Sequence, residues 1–401
     1  MIDVDLSDPD TFVGGIPYAA FQRLRTEAPL YWQPEKSGGR GFWCVTRYDD
    51  LMAVSKDPLT FSSAKGGTNI FEVPEEDLSM LRLLMLNMDP PKHNKFRRLV
   101  STGFTNRMVT QLEPHVREIC ADLIDKVAKK DAFDFVTEIA AELPLLVIAE
   151  LLGVPMEDRH KVFDWSNSLV GFDDPEYNTS METGKIASAQ MWAYANDLAS
   201  KRKEHPLDDL VSVLMQAEVD GDRLSEQEFD SFFLLLAVAG NETTRNLISG
   251  GMLALIQHPE ERARVLADPS LLPTCIEELL RWVSPLIHFR RTATRDVHMH
   301  GQTIREGDKV VIFYPSANRD ERRFVNPETF DVTRTPNDHL AFGIGEHFCL
   351  GANLARLEIK LIFEEMLRRL PDLELAGPVR RLRSNFLNGI KGMPVARARA
   401  T

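Results

Sequence analysis

Cys349 stands where a glycine-rich loop meets a helix, in the stretch Phe342-Gly-Ile-Gly-Glu-His-Phe-Cys-Leu-Gly351, followed by Ala352-Asn-Leu-Ala-Arg-Leu-Glu358. Free N–H groups and the dipole at a helix start favour a thiolate, which serves as a nucleophile or a metal ligand. Gly345 and Gly351 let the backbone come close to a flat, bulky partner. A lone cysteine is more often buried and inert, but the flanking glycines, Phe342 and His347 point to a ligand here. Gly343-Ile-Gly345 does not open a dinucleotide loop, because Phe348 holds the third glycine position and no strand precedes it. A second stretch, Ala239-Gly-Asn-Glu-Thr-Thr244, sets Gly240, the carboxylate of Glu242 and the hydroxyl of Thr243 directly after an apolar run, where helix propensity alone favours Ala or Leu. A hydroxyl that interrupts a helix opens a groove, and a neighbouring carboxylate can relay protons into it. In a third stretch, Glu278-Leu-Leu-Arg281, opposite charges stand at i and i+3, close enough to pair.

The elements that must position these residues are mostly helical. Apolar residues recur at helical spacing over 116–127, 139–152, 225–258, 274–283 and 354–370. Ser225-Glu-Gln-Glu228 is a capping box and Pro259 a stop, so one helix is predicted over 225–258, carrying Glu242 and Thr243 at its middle. Leu30-Tyr-Trp-Gln33 and Phe42-Trp-Cys-Val-Thr46 flank Lys36-Ser-Gly-Gly39 and read as a hairpin. A second strand pair surrounds His300-Gly301 and Arg305-Glu-Gly-Asp308 and ends in Val310-Val-Ile-Phe313. Segments 66–77 and 173–180 read as long loops and candidate lids. With 47 Lys and Arg against 60 Asp and Glu, the net charge of −13 argues against a nucleic acid or an anionic membrane as partner. The four cysteines are widely spaced without a metal or disulfide pattern, and Met1-Ile-Asp-Val-Asp lacks signal-peptide character, so a cytoplasmic protein is expected. The longest apolar run, Phe232 to Ala239, falls far short of the roughly 20 residues of a membrane-spanning helix, and no anchor is expected.

The cysteine segment resembles the haem-binding loop of the cytochrome P450 family, Phe-x-x-Gly-x-His/Arg-x-Cys-x-Gly, at every position. The resemblance implies a mainly α fold with small β-sheets, the haem lying between a long central helix and the Cys-ligand loop, with residues 1–401 as one domain. It implies haem b as cofactor and Cys349 as the iron ligand, whose sulfur pushes electron density toward O–O cleavage. Phe342, Gly345 and Gly351 belong to the same cradle. Glu278-Leu-Leu-Arg281 looks like the family's Glu-x-x-Arg, and Arg334 matches the residue completing that buried triad, which would hold the haem loop in place. Ala239 to Thr244 looks like the oxygen-activating stretch, with Ala239 and Gly240 beside the cofactor, Thr243 as the oxygen-side hydroxyl and Glu242 as the relay acid. His93, Arg97, Arg291 and His347 match positions that hold the haem propionates, although Arg290 or Arg295 could exchange roles with Arg291.

By this resemblance the chain is a soluble haem-thiolate monooxygenase that inserts one atom of O2 into a C–H bond of an apolar substrate. No flavin or nicotinamide loop is present, so electrons are expected from a separate ferredoxin and ferredoxin reductase. Lys92, Lys95, Arg98, Arg356 and Lys360 form either a basic docking face for an acidic ferredoxin or ordinary solvated surface. Candidate substrate residues by family position are the loop before Met88, Phe172, Leu235, Ala239, Leu286, Ile287, Phe386 and Leu387. Gly-Asn-Glu-Thr-Thr-Arg-Asn and Leu-Asn-Gly-Ile-Lys are similar to bacterial members that hydroxylate sterol side chains, methyl-branched lipids and terpenoids. A sterol, steroid or branched lipid is the expected substrate, and a terpenoid the alternative. The rivals are a peroxide-driven enzyme, disfavoured by the intact Glu242-Thr243 pair, and a non-catalytic haem sensor, which would need neither relay nor pocket.

Overall fold

A computed structural model describes residues 4–35, 38–170, 173–177, 180–207, 209–219 and 221–398. Its longest element is the helix Glu226–Gln257, whose 32 residues span about 48 Å at 1.5 Å per residue. The helix begins as the sequence predicts. Ser225 Oγ accepts from the Glu228 N–H, while the Glu228 carboxylate accepts from the Ser225 N–H at 3.1 Å. It ends at His258, after which Pro259 opens another helix. Helices Glu142–Leu151, Arg159–Val170, Met181–Glu204 and Leu272–Val283 pack around it. Phe232, Phe233, Leu247, Ile248 and Met252 enter the main hydrophobic core. One stripe is less covered. Leu235, Ala239 and Thr243, at i, i+4 and i+8, share a face on which Ala239 is exposed and the other two half-buried.

The remaining predicted helices are present with shifted ends. The 116–127 pattern is the second half of Asn106–Val127, which continues through Pro114, and the 139–152 pattern becomes Glu142–Leu151 after a wider turn at Val136–Ala140. The other two are Leu272–Val283 and Ala352–Arg369. The N-terminal hairpin pairs Leu30–Gln33 with Phe42–Val45 antiparallel, Trp32 facing Trp43. Around His300-Gly301, whose φ values are 49° and 75°, Val297–Met299 pairs with Gln302–Ile304.

Lys309–Phe313 departs from the reading as a partner of that second hairpin. It runs parallel to Phe42–Val45 and antiparallel to His288–Ala293, giving a five-stranded sheet completed by Phe61–Ser62 at the edge. Every residue of Lys309–Phe313 is buried, so its run of Val, Val, Ile and Phe satisfies two faces at once. The 66–77 loop ends in a helix, Glu75–Leu81, and the described part of 173–180 includes a tight turn at Pro175–Tyr177.

Candidate functional site

The loop that delivers Cys349 is closed by a hydrogen bond from the Cys349 N–H to the Phe342 carbonyl at 2.9 Å. Gly343 and Gly345 adopt φ values of 69° and 76°, which a side chain rarely takes. At Gly345 an added Cβ would also stand 2.7 Å from the Ser55 carbonyl oxygen, so this glycine is needed for packing against the Tyr48–Lys56 helix. Gly351 precedes the helix Ala352–Arg369, and a Cβ there would meet no protein atom. Burial pushes the Cys349 thiol above its ordinary value; the Gly351 N–H and the charges of Arg97 and Arg356 oppose that shift without reversing it. The helix-start N–H thus favours the thiolate, as expected from sequence, while burial acts against it. A bound metal ion would supply the missing charge, since a coordinating thiol is deprotonated outright.

Two ion networks hold this loop. Glu278 accepts from Arg281 Nε and Nη2, both at 2.7 Å, from Arg334 Nε at 3.1 Å and from Asn337 Nδ2 at 3.1 Å. Arg281 and Arg334 spend their remaining donors on the carbonyls of Asn318, Val325, Pro327 and Thr329. The triad is thus assembled, and it pins the chain just before the loop. Sequence reasoning missed the neighbouring network. Glu277 accepts from Arg356 Nε at 2.7 Å and Nη2 at 2.9 Å and pairs with His339 Nε2 at 3.0 Å. Burial would raise the Glu277 carboxyl, but the hydrogen bonds from Arg356 and His339 overcome it and bring it down to about 2. The Arg356 guanidinium lies 4.6 Å from the centre of the Phe342 ring, linking this network to the start of the loop. The signal was available, since Arg356 lies seven residues after Cys349 and Glu277 beside Glu278.

His93, Arg97, Arg291 and His347 converge. The His93 and His347 rings are 4.3 Å apart, Arg97 donates to the Glu346 carbonyl at 3.3 Å, and His347 Nε2 is 3.3 Å from Ser63 Oγ. Burial lowers His347 well below its usual range, and the charges of Arg291, His93 and Arg97 lower it further. Among the described residues no carboxylate pairs with Arg291, which is 3% exposed and donates to the Arg290 carbonyl at 2.9 Å, and His93 Nε2 is buried without a partner. Burial lowers Arg97 and Arg291 as well. Uncompensated buried cations are costly, so this cluster fits an anionic group with two acidic arms. Arg290 and Arg295 do not reach it. Arg290 pairs with Glu72 at 3.3 Å and Arg295 donates to Thr60 Oγ1 at 2.8 Å.

On the central helix, Thr243 Oγ1 donates to the Ala239 carbonyl at 2.8 Å. Glu242 points elsewhere. It is buried and ion-paired with Arg245, which also contacts Asn167 Oδ1 at 3.4 Å. Burial raises the Glu242 carboxyl, Arg245 opposing the shift, and Oε1 has no partner among the described residues. The side chains of Asn241 and Asn246, both buried, also lack partners there. Gly240 is directed at Ile148, whose Cδ1 would stand 3.1 Å from an added Cβ, and serves helix packing.

Of the apolar candidates, Leu235, Leu286 and Phe386 are half-buried, and Leu387 is buried and bridges to Leu286. Ile287 is fully buried with Phe12, Val311 and Phe313 in a separate core cluster, whereas Leu286 packs with Phe289 and Ile312. Phe289, not picked out in the sequence, is half-buried 5.9 Å from Phe386. Phe172 lies outside the described residues. Next to it, Asp174 accepts from the Arg383 N–H at 2.9 Å and pairs with Lys391 at 2.8 Å, and Lys391 also pairs with Glu176 at 2.5 Å. Among the basic-face residues, Lys95 pairs with Asp222, Arg356 with Glu277 and Lys360 with Glu364.

Residues 145–371 match the family model for Cytochrome P450. A steroid C26-monooxygenase from Rhodococcus jostii is 45% identical over 400 residues, covering 98% of this chain and 84% of that protein. The chain is a cytochrome P450. As a P450 monooxygenase it is also 44% identical to a methyl-branched lipid omega-hydroxylase from Mycobacterium bovis, over 94% of this chain and 90% of that one. A solved Mycobacterium marinum cytochrome P450, CYP268A2 in complex with pseudoionone, superimposes with a TM-score of 0.88 at 40% identity, covering 94% of both chains. The expected P450 fold, mainly helical with small sheets, is borne out. The family uses haem iron, and the cation cluster and loop cysteine of this P450 fit that group. No helix among the described residues is long and apolar enough to cross a membrane.

Proposed function

We propose that this P450 hydroxylates a sterol, steroid or methyl-branched lipid, as a cytoplasmic one-domain enzyme carrying haem b and receiving electrons from a ferredoxin and its reductase. The observation that carries the substrate reading is the exposed stripe of the central helix. Apolar Ala239 lies one turn before the Thr243 hydroxyl and Leu235 one turn before Ala239 on the same face, so an unreactive hydrocarbon can be held along the helix where oxygen chemistry occurs. Similarity to enzymes named for steroids and methyl-branched lipids supports it.

When bound, the haem supplies the redox chemistry by which one atom of O2 enters a C–H bond and the other becomes water. Cys349 holds the iron, and His93, Arg97, Arg291 and His347 hold the acidic arms. Thr243 Oγ1 presents a proton on the oxygen side, released from its bond to the Ala239 carbonyl. Glu242 is the relay acid: Arg245 holds its carboxyl in place, and Oε1, without a partner among the described residues, is the atom that takes a proton from water and passes it on. The network of Glu277, Glu278, Arg281, Arg334 and Arg356 keeps the cysteine loop rigid. The exposed basic surface of Lys92, Lys95 and Arg98 is the candidate docking face for an acidic ferredoxin.

The pseudoionone complex of the similar M. marinum enzyme favours a second reading, a terpenoid hydroxylase. Titrating apolar ligands while following the haem spin state separates the two. A wide apolar pocket gains roughly 2.5 kcal/mol for each further 100 Å² of ligand surface buried. Affinity rising from monoterpene to sterol is expected; a flat or falling trend would replace the sterol reading by the terpenoid one.

A further inference from the structure

The strand Lys309–Phe313 puts alternate residues on opposite sides of the five-stranded sheet. Val310 and Ile312 pack in one core cluster, Val311 and Phe313 in another. The ladder continues one step past the strand, because the Tyr314 N–H donates to the Ile287 carbonyl at 3.0 Å. Tyr314 therefore follows Val310 and Ile312 and joins their cluster. Arg291 and Phe289, paired opposite Val310 and Ile312, belong to the same side. The tyrosine thus lies on the side of the sheet that carries the cation cluster, and no step described above uses it.

Its hydroxyl is the unusual feature. Tyr314 is 4% exposed and packs edge-on against Phe289, the ring centres 6.1 Å apart, and the Arg291 guanidinium lies 5.9 Å from the same Phe289 ring. At its far end, a Cβ added to Gly343 would stand 3.7 Å from both Tyr314 Oη and the His347 carbonyl oxygen, so the hydroxyl reaches the loop that runs on to Cys349. A buried tyrosine hydroxyl usually finds a partner. Tyr48, similarly buried, donates to the Asp338 carbonyl at 2.7 Å. Tyr314 Oη makes no hydrogen bond to a described residue, and Arg291 is the one charged side chain among them that acts on it. Burial pushes the phenol up to about 12, so at neutral pH it is a neutral donor. A guanidinium cannot accept its hydrogen bond. An unmet donor beside an unpaired cation, both buried, is what a carboxylate satisfies.

We propose that Tyr314 is a further cofactor-binding residue, its hydroxyl donating a hydrogen bond to the acidic arm that Arg291 holds. The inference rests on the reading of His93, Arg97, Arg291 and His347 as the holders of those arms. Arg291 supplies the charge, and Tyr314 fixes the direction of the carboxylate from the side of the cysteine loop. Phenylalanine at this position keeps the ring packing against Phe289 and removes only the donor.

Resonance Raman of the ferric holoenzyme reads the bending mode of the haem's acidic arms, which falls in frequency when a hydrogen bond to them is lost. Tyr314→Phe is expected to lower that mode and to speed haem transfer to apomyoglobin roughly tenfold, the loss of one hydrogen bond to a charged group. Tyr314→Gln restores a donor and should recover the wild-type frequency; an equal shift in both variants, as altered packing would give, overturns the proposal. Arg291→Lys separates it from the reading beneath it. A mode moved by Arg291→Lys but not by Tyr314→Phe would overturn the role of Tyr314 alone, and a mode unmoved by either would overturn the assignment of the cluster with it. Should Tyr314→Phe fail to retain haem, retention in Tyr314→Gln supports the proposal, and loss in both variants overturns it.

Discussion

Glu358 sits in the middle of the helix that Cys349 precedes, 4% exposed, with Oε2 lacking any partner among the described residues. Burial alone pushes its carboxyl up to about 8. The group is then protonated in the folded enzyme at neutral pH and ionised in the unfolded chain, where its ordinary value is 4.5. A folded-state value above the unfolded one means that stability is fully present below pH 4.5 and is lost as pH rises toward 8, at about 1.4 kcal/mol per pH unit. Integrated from pH 5 to pH 8, the loss is about 3.5 kcal/mol. Glu358→Gln keeps a neutral side chain of the same shape in both states, so it removes this term and leaves the other titrating groups to cancel in the comparison. With an unfolding entropy of about 2.1 cal/mol/K per residue, the Tm advantage of the variant should grow by about 4 °C between those pH values. The measurement is thermal unfolding of ferric holoenzyme, wild type and variant, in matched buffers. Parallel Tm-against-pH curves would refute the reasoning, because they would mean that Glu358 is ionised in the fold and paired with something.

Three further outcomes follow from the site. Thr243→Ala should leave substrate binding and reduction nearly unchanged while diverting electrons to hydrogen peroxide, measured as product formed per reduced nucleotide consumed; unchanged coupling would reduce Thr243 to a helix-bend residue. Glu278→Gln leaves Arg281 and Arg334 facing a neutral group and should cost about 3 to 5 kcal/mol, seen as lost haem and a lower Tm. Lys391→Met removes the tie shared by Asp174 and Glu176, which keep their bonds to the Arg383 N–H and to Arg380, and should speed ligand entry and exit several-fold in stopped-flow mixing, whereas unchanged rates would show that this tie does not control access.

Legibility in the sequence followed the range of the interactions. The capping box, the hairpin and the cysteine loop are local, and each stands where its residues put it. The Glu278 triad was readable because its partners occupy recognisable motifs, although Arg334 is 56 positions away. Pairing across long separations was not readable. Lys309–Phe313 reads equally well as a hairpin strand, and only burial on both faces commits it to lie parallel to Phe42–Val45. The same applies to side-chain direction. Ile287 and Leu286 are equally apolar, but the chain just before His288 buries Ile287 in one core cluster and leaves Leu286 half-buried against another. Glu242 and Thr243 are adjacent in sequence and about 100° apart around the helix, which is why the acid pairs with Arg245 while the hydroxyl faces the open stripe. At Cys349 the motif reveals the helix start but not the burial that works against it.

The central claim is that this P450 binds haem iron through Cys349. Absorption of the reduced protein under carbon monoxide tests it most directly, in wild type and in four single Cys→Ser variants, at Cys44, Cys120, Cys275 and Cys349. The account predicts the thiolate signature in wild type and in the first three variants, whose cysteines are buried in the core, and its loss only in Cys349→Ser. A signature that survives Cys349→Ser, or disappears with one of the others instead, would contradict it.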